Sequence, residues 1–170
     1  MQKLLDNRTG KYIEPETLVS YKKVNNTLVF EFFAKDSSLS SHSNKNNDEI
    51  WRGDVAEVFL DFGDDFYYEF EVAPNGTTFI AKIVNGKPVF IKNDFFKSEA
   101  IIEGNNYKVK MVIDLSKFHK VSSIKFNAFR IETKGIKQDY ILQALSPTVS
   151  DTFHVRDKFI DFPLLIKRTF

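Results

Sequence analysis

The feature that most constrains the fold is the regular recurrence of turn residues between short apolar segments. Asn75-Gly76 and Asn85-Gly86 bracket the segment Thr77–Val84. Asn-Gly pairs supply the positive φ angles that type I′ hairpin turns need. Further polar breaks at Asn25-Asn26 and at 61–65 separate segments of similar length. The spacing therefore predicts a series of β-hairpins.

Within these segments, apolar and polar side chains alternate with period two. In Tyr67–Val72, Tyr68 and Phe70 face one way, whereas Glu69 and Glu71 face the other. Phe and Tyr suit pleated, half-buried surfaces, and aromatic residues make up 15% of the chain. These patterns favour strands over helices.

Helical structure is expected at one place only, a single turn at Leu115–His119 capped by Asp114 or Ser116. No segment keeps a period of 3.6 over several turns, and a final apolar segment runs from Phe159 to Ile166. We therefore predict an all-β chain, an antiparallel β-sandwich with little helix. A length of 170 residues fits one soluble domain, residues 1–170.

Charge and composition exclude several functions. The net charge is +1 and the basic residues are scattered, so nucleic acid is not an expected partner. The absence of cysteine removes disulfides, thiolate catalysis and cysteine-ligated zinc. No segment approaches the roughly 18 apolar residues of a membrane-spanning helix. Met1–Asp6 is not followed by the apolar region of a signal peptide.

Two long irregular segments are candidates for binding loops. The first, 36–48, is rich in Ser, Asn and Lys and is expected to be a mobile surface loop. The second, 145–157, precedes the last apolar segment. Loops at the ends of a rigid β scaffold commonly carry binding residues.

Four motifs in order carry a resemblance to a known family. Asn47–Asp61 contains a Trp, an acidic residue and then Val-x-Glu-Val-Phe-Leu-Asp, and Tyr67–Thr77 contains Tyr-Tyr-Glu-Phe-Glu-Val-x-Pro-x-Gly-Thr. Asn127–Glu132 contains Asn-x-x-Arg, while Leu145–Thr148 and Phe153–Val155 contain Ser-Pro-Thr and Phe-His-Val. Together they resemble the family 9-like carbohydrate-binding modules, which are part of the DOMON-like group of β-sandwiches.

The resemblance implies lectin-like binding of a mono- or oligosaccharide, without catalysis. It assigns Trp51 to an aromatic ring that stacks on the sugar and Glu57 to a hydroxyl-binding position. By the same resemblance, the second aromatic position falls near Phe153 or His154. Here the sequence departs from the family, because the chain has no second Trp. A partly buried core residue is the alternative interpretation of Trp51. The resemblance also implies secretion or a cell-surface location, and attachment to or coding beside a glycoside hydrolase.

The residues themselves indicate a charged face. If a hairpin turn joins Asp61 to Tyr67, Glu57 and Glu71 become cross-strand neighbours, and Arg130 is the nearest candidate to neutralise them. This face is either a structural ion-pair network or a sugar site, or both. The candidate ligand-binding residues are Trp51, Asp54, Glu57, Glu69, Glu71, Arg130, Phe153 and His154.

Three alternatives remain open. Paired carboxylates also occur in glycosidases, so residual hydrolytic activity is one alternative. The wider DOMON-like group includes domains that bind haem between a Met and a His, and Met111 is the internal Met, although core packing explains it equally well. No cofactor is certain, but Asp61, Asp64 and Asp65 cluster in one turn with the hard oxygen ligands that calcium prefers.

Overall fold

The computed structural model describes residues 1–118, 121, 123–133 and 140–163. This part of the chain forms thirteen strands. The strands are β1 (Gln2–Lys3), β2 (Leu5–Asp6), β3 (Thr17–Val24), β4 (Thr27–Lys35), β5 (Val55–Asp61), β6 (Phe66–Val72), β7 (Thr78–Val84), β8 (Lys87–Phe90), β9 (Phe96–Glu103), β10 (Asn106–Asp114), β11 (Lys125–Thr133), β12 (Tyr140–Ala144) and β13 (Ile160–Asp161).

The strands form two antiparallel sheets, which confirms the predicted β-sandwich. The five-stranded sheet has the order β1-β3-β4-β10-β9. The eight-stranded sheet has the order β2-β12-β11-β5-β6-β7-β8, with β13 paired to β11 beside that path. Helical structure in the described residues consists of 3-10 turns at Ile50–Arg52, Leu115–Lys117 and Arg156–Lys158.

The predicted helical turn after β10 is confirmed over the described residues. The turn covers Leu115–Lys117, and the carboxylate of Asp114 accepts a hydrogen bond of 2.9 Å from the backbone N–H of Ser116. An Asp at this position satisfies a backbone donor that has no partner within the turn. His119, where the predicted segment ended, lies outside the described residues.

The main core lies between the two sheets. Even-numbered side chains of β5, β6 and β11, such as Val58, Phe70 and Phe126, point inward and belong to one buried cluster. They meet Phe30 and Met111 from the five-stranded sheet, and the rings of Phe30 and Phe126 are 5.6 Å apart. Met111 is fully buried in this apolar layer, where packing accounts for it.

A second apolar layer covers the outer face of the eight-stranded sheet. Odd-numbered residues such as Phe59, Tyr67 and Phe129 are buried there, although an exposed sheet face would carry polar residues. Phe153 and Phe159 from the C-terminal segment cover them; the rings of Phe129 and Phe153 lie 4.2 Å apart. This covering layer makes a buried outer site possible.

The type I′ turn predicted at each of the two Asn-Gly pairs is present at one of them and absent at the other. Asn85 and Gly86 both have positive φ, 50° and 73°, as a type I′ turn requires. At the β6–β7 hairpin only Gly76 has positive φ, and its N–H donates to Ala73 O at 2.9 Å. The hairpin is therefore confirmed at both places, but the type I′ backbone is wrong at Asn75-Gly76.

Candidate functional site

A cavity of about 350 Å³ opens on the outer face of the eight-stranded sheet. It brings together six of the predicted site residues and leaves out Asp54 and Arg130. The six that line it are Trp51, Glu57, Glu69, Glu71, Phe153 and His154. The three glutamates come from the sheet itself, whereas the aromatic residues come from the segments on either side of it.

Strand register places the three glutamates side by side. Glu57 on β5 is paired with Glu71 on β6, as predicted from the turn, and Glu69 is paired with Phe59. All three residues occupy odd positions and therefore share the outer face. A carboxylate oxygen from each lies within 4.8 Å of those of the others.

The cluster is buried and lacks enough hydrogen-bond partners. Glu57 and Glu71 are each 2% exposed, and Glu57 Oε1 and Glu71 Oε2 have no hydrogen-bond partner. A buried polar atom without a partner costs on the order of 1–3 kcal/mol. The cluster therefore has unused capacity to accept hydrogen bonds.

Burial and mutual repulsion favour the protonated forms of these carboxyls. Burial, and then the charge of Glu69, raises the pKa of Glu57 well above its usual range. Burial and both neighbouring carboxylates do the same to the pKa of Glu71. Burial raises the pKa of Glu69 to about 7, although a hydrogen bond with Glu71 lowers it in part. The site can therefore exchange protons near neutral pH.

A short 3-10 turn places Trp51 at the wall of the cavity. Ile50 is fully buried and fixes the turn in place. The ring of Trp51 packs edge-on against that of Phe79, with centroids 5.1 Å apart and an interplanar angle of 83°. Gly53 ends the turn where the chain passes close to the preceding loop. A Cβ on Gly53 would lie 2.7 Å from the backbone nitrogen of His42, so this approach requires glycine.

The polar loop 36–48 is held against β7 by hydrogen bonds. Asn47 Oδ1 accepts from Ile80 N at 2.9 Å, and Asn46 Oδ1 accepts from Thr78 N at 3.0 Å. The side chains of the loop thus replace strand partners along the start of β7. The loop lies on the surface as predicted, and these bonds tie it to the wall that carries Trp51.

The C-terminal loop supplies the opposite side. Phe153 stacks on Phe129 with an interplanar angle of 19°, and the ring of His154 lies over Phe59 at 5.1 Å. His154 Nδ1 lies 2.6 Å from the hydroxyl of Tyr67. Packing on Phe59 shields one side of this otherwise exposed histidine, and this burial lowers its pKa. His154 is therefore favoured in its neutral form.

Asn7, which the sequence analysis did not single out, holds this loop in place. Its Nδ2 donates to Thr148 Oγ1 at 2.7 Å and to Ser150 O at 2.9 Å. Its Oδ1 accepts from Thr148 N at 2.9 Å. A fully buried Asn with several partners fixes a loop that has little regular structure of its own.

The prediction that Arg130 and Asp54 line this site is wrong. Arg130 pairs with Ala56 in the sheet and therefore points inward, away from Glu57. Its Nη2 donates to Asp36 at 2.7 Å and to Asp54 at 3.2 Å. Asp54 also accepts from the N–H and the hydroxyl of Thr133. These residues form a buried ion-pair network inside the sandwich.

The acidic turn after β5 also differs from the calcium site expected there. Asp61 is bound by Arg156, whose Nε and Nη2 donate to its two oxygens at 2.6 Å each. The same guanidinium also binds the backbone carbonyl of Asp64. Burial would raise the pKa of Asp61, but the hydrogen bonds from Arg156 and from the backbone N–H of Gly63 outweigh it and lower that pKa. The bidentate pair also occupies the oxygens that a cation would need. Asp65 does not join Asp61 and Asp64 in a cluster of ligand atoms.

The haem alternative needs a His that reaches the same cofactor as Met111, and His154 is not placed to do so. Met111 lies between the sheets, whereas His154 lies on the outer side of the eight-stranded sheet. The two side chains therefore face opposite sides of that sheet. A cofactor between them would have to displace the sheet itself.

The β7–β8 hairpin adds a wall that sequence reasoning missed. Phe79, Ile83 and Pro88 line the cavity on this flank. Ile131 on β11 and Leu142 on β12 line it on the opposite flank of the same face. These residues carry no polar group, and their side chains alone do not distinguish them from ordinary core residues. The only available signal was the position of Ile83 and Pro88 beside the Asn85-Gly86 turn.

The fold is that of the family 9 carbohydrate-binding modules. A proposed carbohydrate-binding protein from Bacteroides uniformis is 21% identical, with a TM-score of 0.78 over 93% of this chain and 83% of that chain. A family 9 module from Caldicellulosiruptor kristjanssonii, solved with glucose, is 14% identical, with a TM-score of 0.68 over 93% and 81%. A module of that family and organism solved with cellotriose is 17% identical, with a TM-score of 0.54 over 75% and 64%.

Sequence similarity then gives the family. The chain is 30% identical over 173 residues to an extracellular protein of Arthroderma benhamiae, covering 85% of this chain and 77% of that protein. The chain belongs to the family of that extracellular protein. No profile of a known protein family matches it. None of the helical turns in the described part of the chain has the length and apolarity of a membrane-spanning helix.

Proposed function

We propose that this domain binds a carbohydrate in the cavity on the outer face of the eight-stranded sheet and does not transform it. The observation that carries the proposal is the juxtaposition of Trp51 with three buried carboxyls in one cavity of about 350 Å³. A pyranose has an apolar C–H face and a ring of hydroxyls. The Trp ring suits the first and the carboxyl oxygens suit the second.

The unpartnered oxygens support this assignment. Glu57 Oε1 and Glu71 Oε2 are buried without hydrogen bonds in the free protein, so a donor from a ligand would satisfy them. The aromatic residues Phe153 and His154 close the side away from Trp51. Phe153 is stacked on Phe129 and only 6% exposed, so it offers little free ring surface to a sugar. We therefore expect weak affinity, roughly millimolar to tens of micromolar.

Proteins of the same fold agree with a sugar ligand. The two Caldicellulosiruptor modules were solved with glucose and with cellotriose, and the Bacteroides protein is named for carbohydrate binding. The Arthroderma relative is named as an extracellular protein, and we infer that this domain also acts outside the cell.

The arrangement of the carboxyls argues against hydrolysis. A glycosidase needs a protonated acid and an ionised partner on opposite sides of the scissile bond. Here Glu57, Glu69 and Glu71 crowd together on one floor, and burial raises the pKa of each. The floor therefore does not separate the two roles, and we expect no turnover of aryl glycosides or polysaccharides.

The proposal is tested by a glycan array followed by titration of tryptophan fluorescence. Trp51 is the single Trp, so the emission reports on the cavity alone. We expect a bound sugar to shift the emission, and we expect Trp51→Ala to abolish binding as measured by calorimetry. Tyr12→Ala serves as the control, because Tyr12 is exposed and does not line the cavity. Unchanged binding by folded Trp51→Ala would place the site elsewhere.

A further inference from the structure

The floor of the cavity accepts hydrogen bonds but offers no fixed donor. Its polar groups are the carboxyls of Glu57, Glu69 and Glu71, which can donate only when protonated. Neither Lys nor Arg is among the described residues that line the cavity. Asp151 at the rim adds a fourth carboxylate, although it is paired with Arg8. The described lining is therefore strongly acidic.

The nearest buried cation does not balance this charge. Arg130 points to the other side of the sheet and already pairs with Asp36 and Asp54. Two carboxylates thus share one guanidinium there, and no positive charge is left over for the floor. Arg130 does lower the pKa of Glu57, but burial and the charge of Glu69 raise that pKa by more. Burial favours the protonated forms of these carboxyls in the free protein, and a positively charged ligand would instead favour their ionised forms and pair with them.

We propose that the cavity selects an amino sugar, whose protonated amine binds among Glu57, Glu69 and Glu71 while its ring lies against Trp51. This inference rests on the proposed function, because it names the class of sugar that the same cavity takes. The ammonium group has three N–H donors and no acceptor, and the floor has three carboxyls. The number of donors matches the number of carboxyls, and the positive charge of the ammonium favours the ionised, accepting forms of these groups.

The distances agree as well. An ammonium donates to carboxylate oxygens at about 2.8 Å, so three acceptors arranged tetrahedrally around it are about 4.6 Å apart. One carboxylate oxygen from each residue of the floor lies within 4.8 Å of those of the other two, so a single ammonium can reach all three. Glu57 Oε1 and Glu71 Oε2 are buried and unpartnered before the ligand arrives. An amine bound among the three carboxyls would offer these two oxygens the donors that they lack.

A neutral sugar fits this floor less well. Each hydroxyl both donates and accepts, so it also needs a donor from the protein. On this floor that donor has to be a carboxyl that keeps its proton, and the fixed donors of the lining, the Trp51 indole and the Thr152 hydroxyl, belong to the segments beside the sheet. A bare divalent cation such as calcium is the other candidate, but it takes six to eight oxygen ligands. The walls at Trp51, Phe79 and Ile83 are apolar and suit an organic ligand instead.

The test compares three matched ligands by calorimetry at pH 7, where a sugar amine still carries its proton to a large extent. The ligands are glucosamine, N-acetylglucosamine, in which the charge is removed, and glucose. We expect glucosamine to bind at least tenfold more tightly than either neutral sugar. Glu71→Gln should reduce this preference to less than threefold. The matched control is Glu99→Gln, an exposed change of the same kind on β9 of the other sheet, which should keep the preference.

The outcomes separate this inference from the proposed function. Equal or tighter binding of glucose would overturn the amino-sugar inference and leave carbohydrate binding intact, as would hits on the array confined to neutral glycans. Unchanged preference in Glu71→Gln would overturn the placement of the amine. If calcium ions, added as calcium chloride, bind saturably and prevent the binding of glucosamine, the floor is a metal site and the amino-sugar inference is overturned. If no glycan on the array binds the protein, the proposed function itself is refuted.

Discussion

The clearest test of the buried acidic floor is the pH dependence of stability in Glu69→Gln. Burial raises the pKa of Glu69 to about 7 from an ordinary value of 4.5. Between these two pH values the unfolded chain ionises this group while the folded chain keeps the proton. The free energy of unfolding therefore decreases as pH rises from 4.5 to 7, by about 1.4 kcal/mol per pH unit, or about 3 kcal/mol in total.

Glutamine removes this loss because it cannot ionise. Its side-chain oxygen can still accept a hydrogen bond from the protonated carboxyl of Glu71, so the local geometry is kept. We expect Glu69→Gln to resemble the wild type near pH 4.5 and to exceed it by up to about 3 kcal/mol at pH 8. For a chain of this size that difference raises Tm by about 6–12 °C.

The assay is urea unfolding at a series of pH values from 4.5 to 8, followed by the emission of Trp51. Glu99→Gln is the control for the loss of one negative charge, since Glu99 is exposed on the other sheet. His154, whose pKa is lowered, gives the opposite slope below pH 6.5, but it does so equally in both proteins. If the two stability curves run parallel over this range, Glu69 is not held protonated by burial.

The remaining predictions concern the scaffold and the cofactor alternative. Gly53→Ala should cost about 1–3 kcal/mol of stability in urea unfolding, because the new Cβ would meet the backbone nitrogen of His42 at 2.7 Å. Arg130→Met should cost about 3–5 kcal/mol, since it leaves Asp36 and Asp54 buried without their cation; a loss below 1 kcal/mol would contradict that network. Titration with haemin should give no Soret band that saturates at one haem per chain.

Much of the fold could be predicted because local signals agree with the final sheets. Asn85-Gly86 and the alternation in Tyr67–Val72 specify one hairpin and two faces by chemistry that acts over a few residues. The strands that the prediction missed lack such signals. β9 (Phe96–Glu103) alternates weakly and carries several charges, and β12 (Tyr140–Ala144) is only five residues long. Pairing with the neighbouring strands β10 and β11 gives these segments their structure.

The site was predictable only where a short turn sets the register. The turn after β5 joins two adjacent strands, so the pairing of Glu57 with Glu71 follows from counting residues. No tight turn connects β5 to β11, and a shift of one residue moves every side chain to the opposite face. The prediction placed Arg130 on the face of Glu57, but Phe129 is the residue that pairs with Glu57. A difference of one residue in register therefore places the ring of Phe129, and not the guanidinium of Arg130, on the face of Glu57.

The burial of the outer face is what gives the three glutamates their significance. Alternation along β6 would ordinarily place Glu69 and Glu71 in water, where their repulsion is screened and costs little. Phe153 and the residues around it cover that face, so the same carboxyls lie in a poorly solvated cavity with oxygens that have no partner. A chain selected for stability alone would place amides or apolar residues there. Three adjacent acids in this position cost the free protein stability, and under the proposed function a bound ligand would offset that cost. The acidic floor, more than the aromatic wall alone, would then determine which sugar the cavity takes.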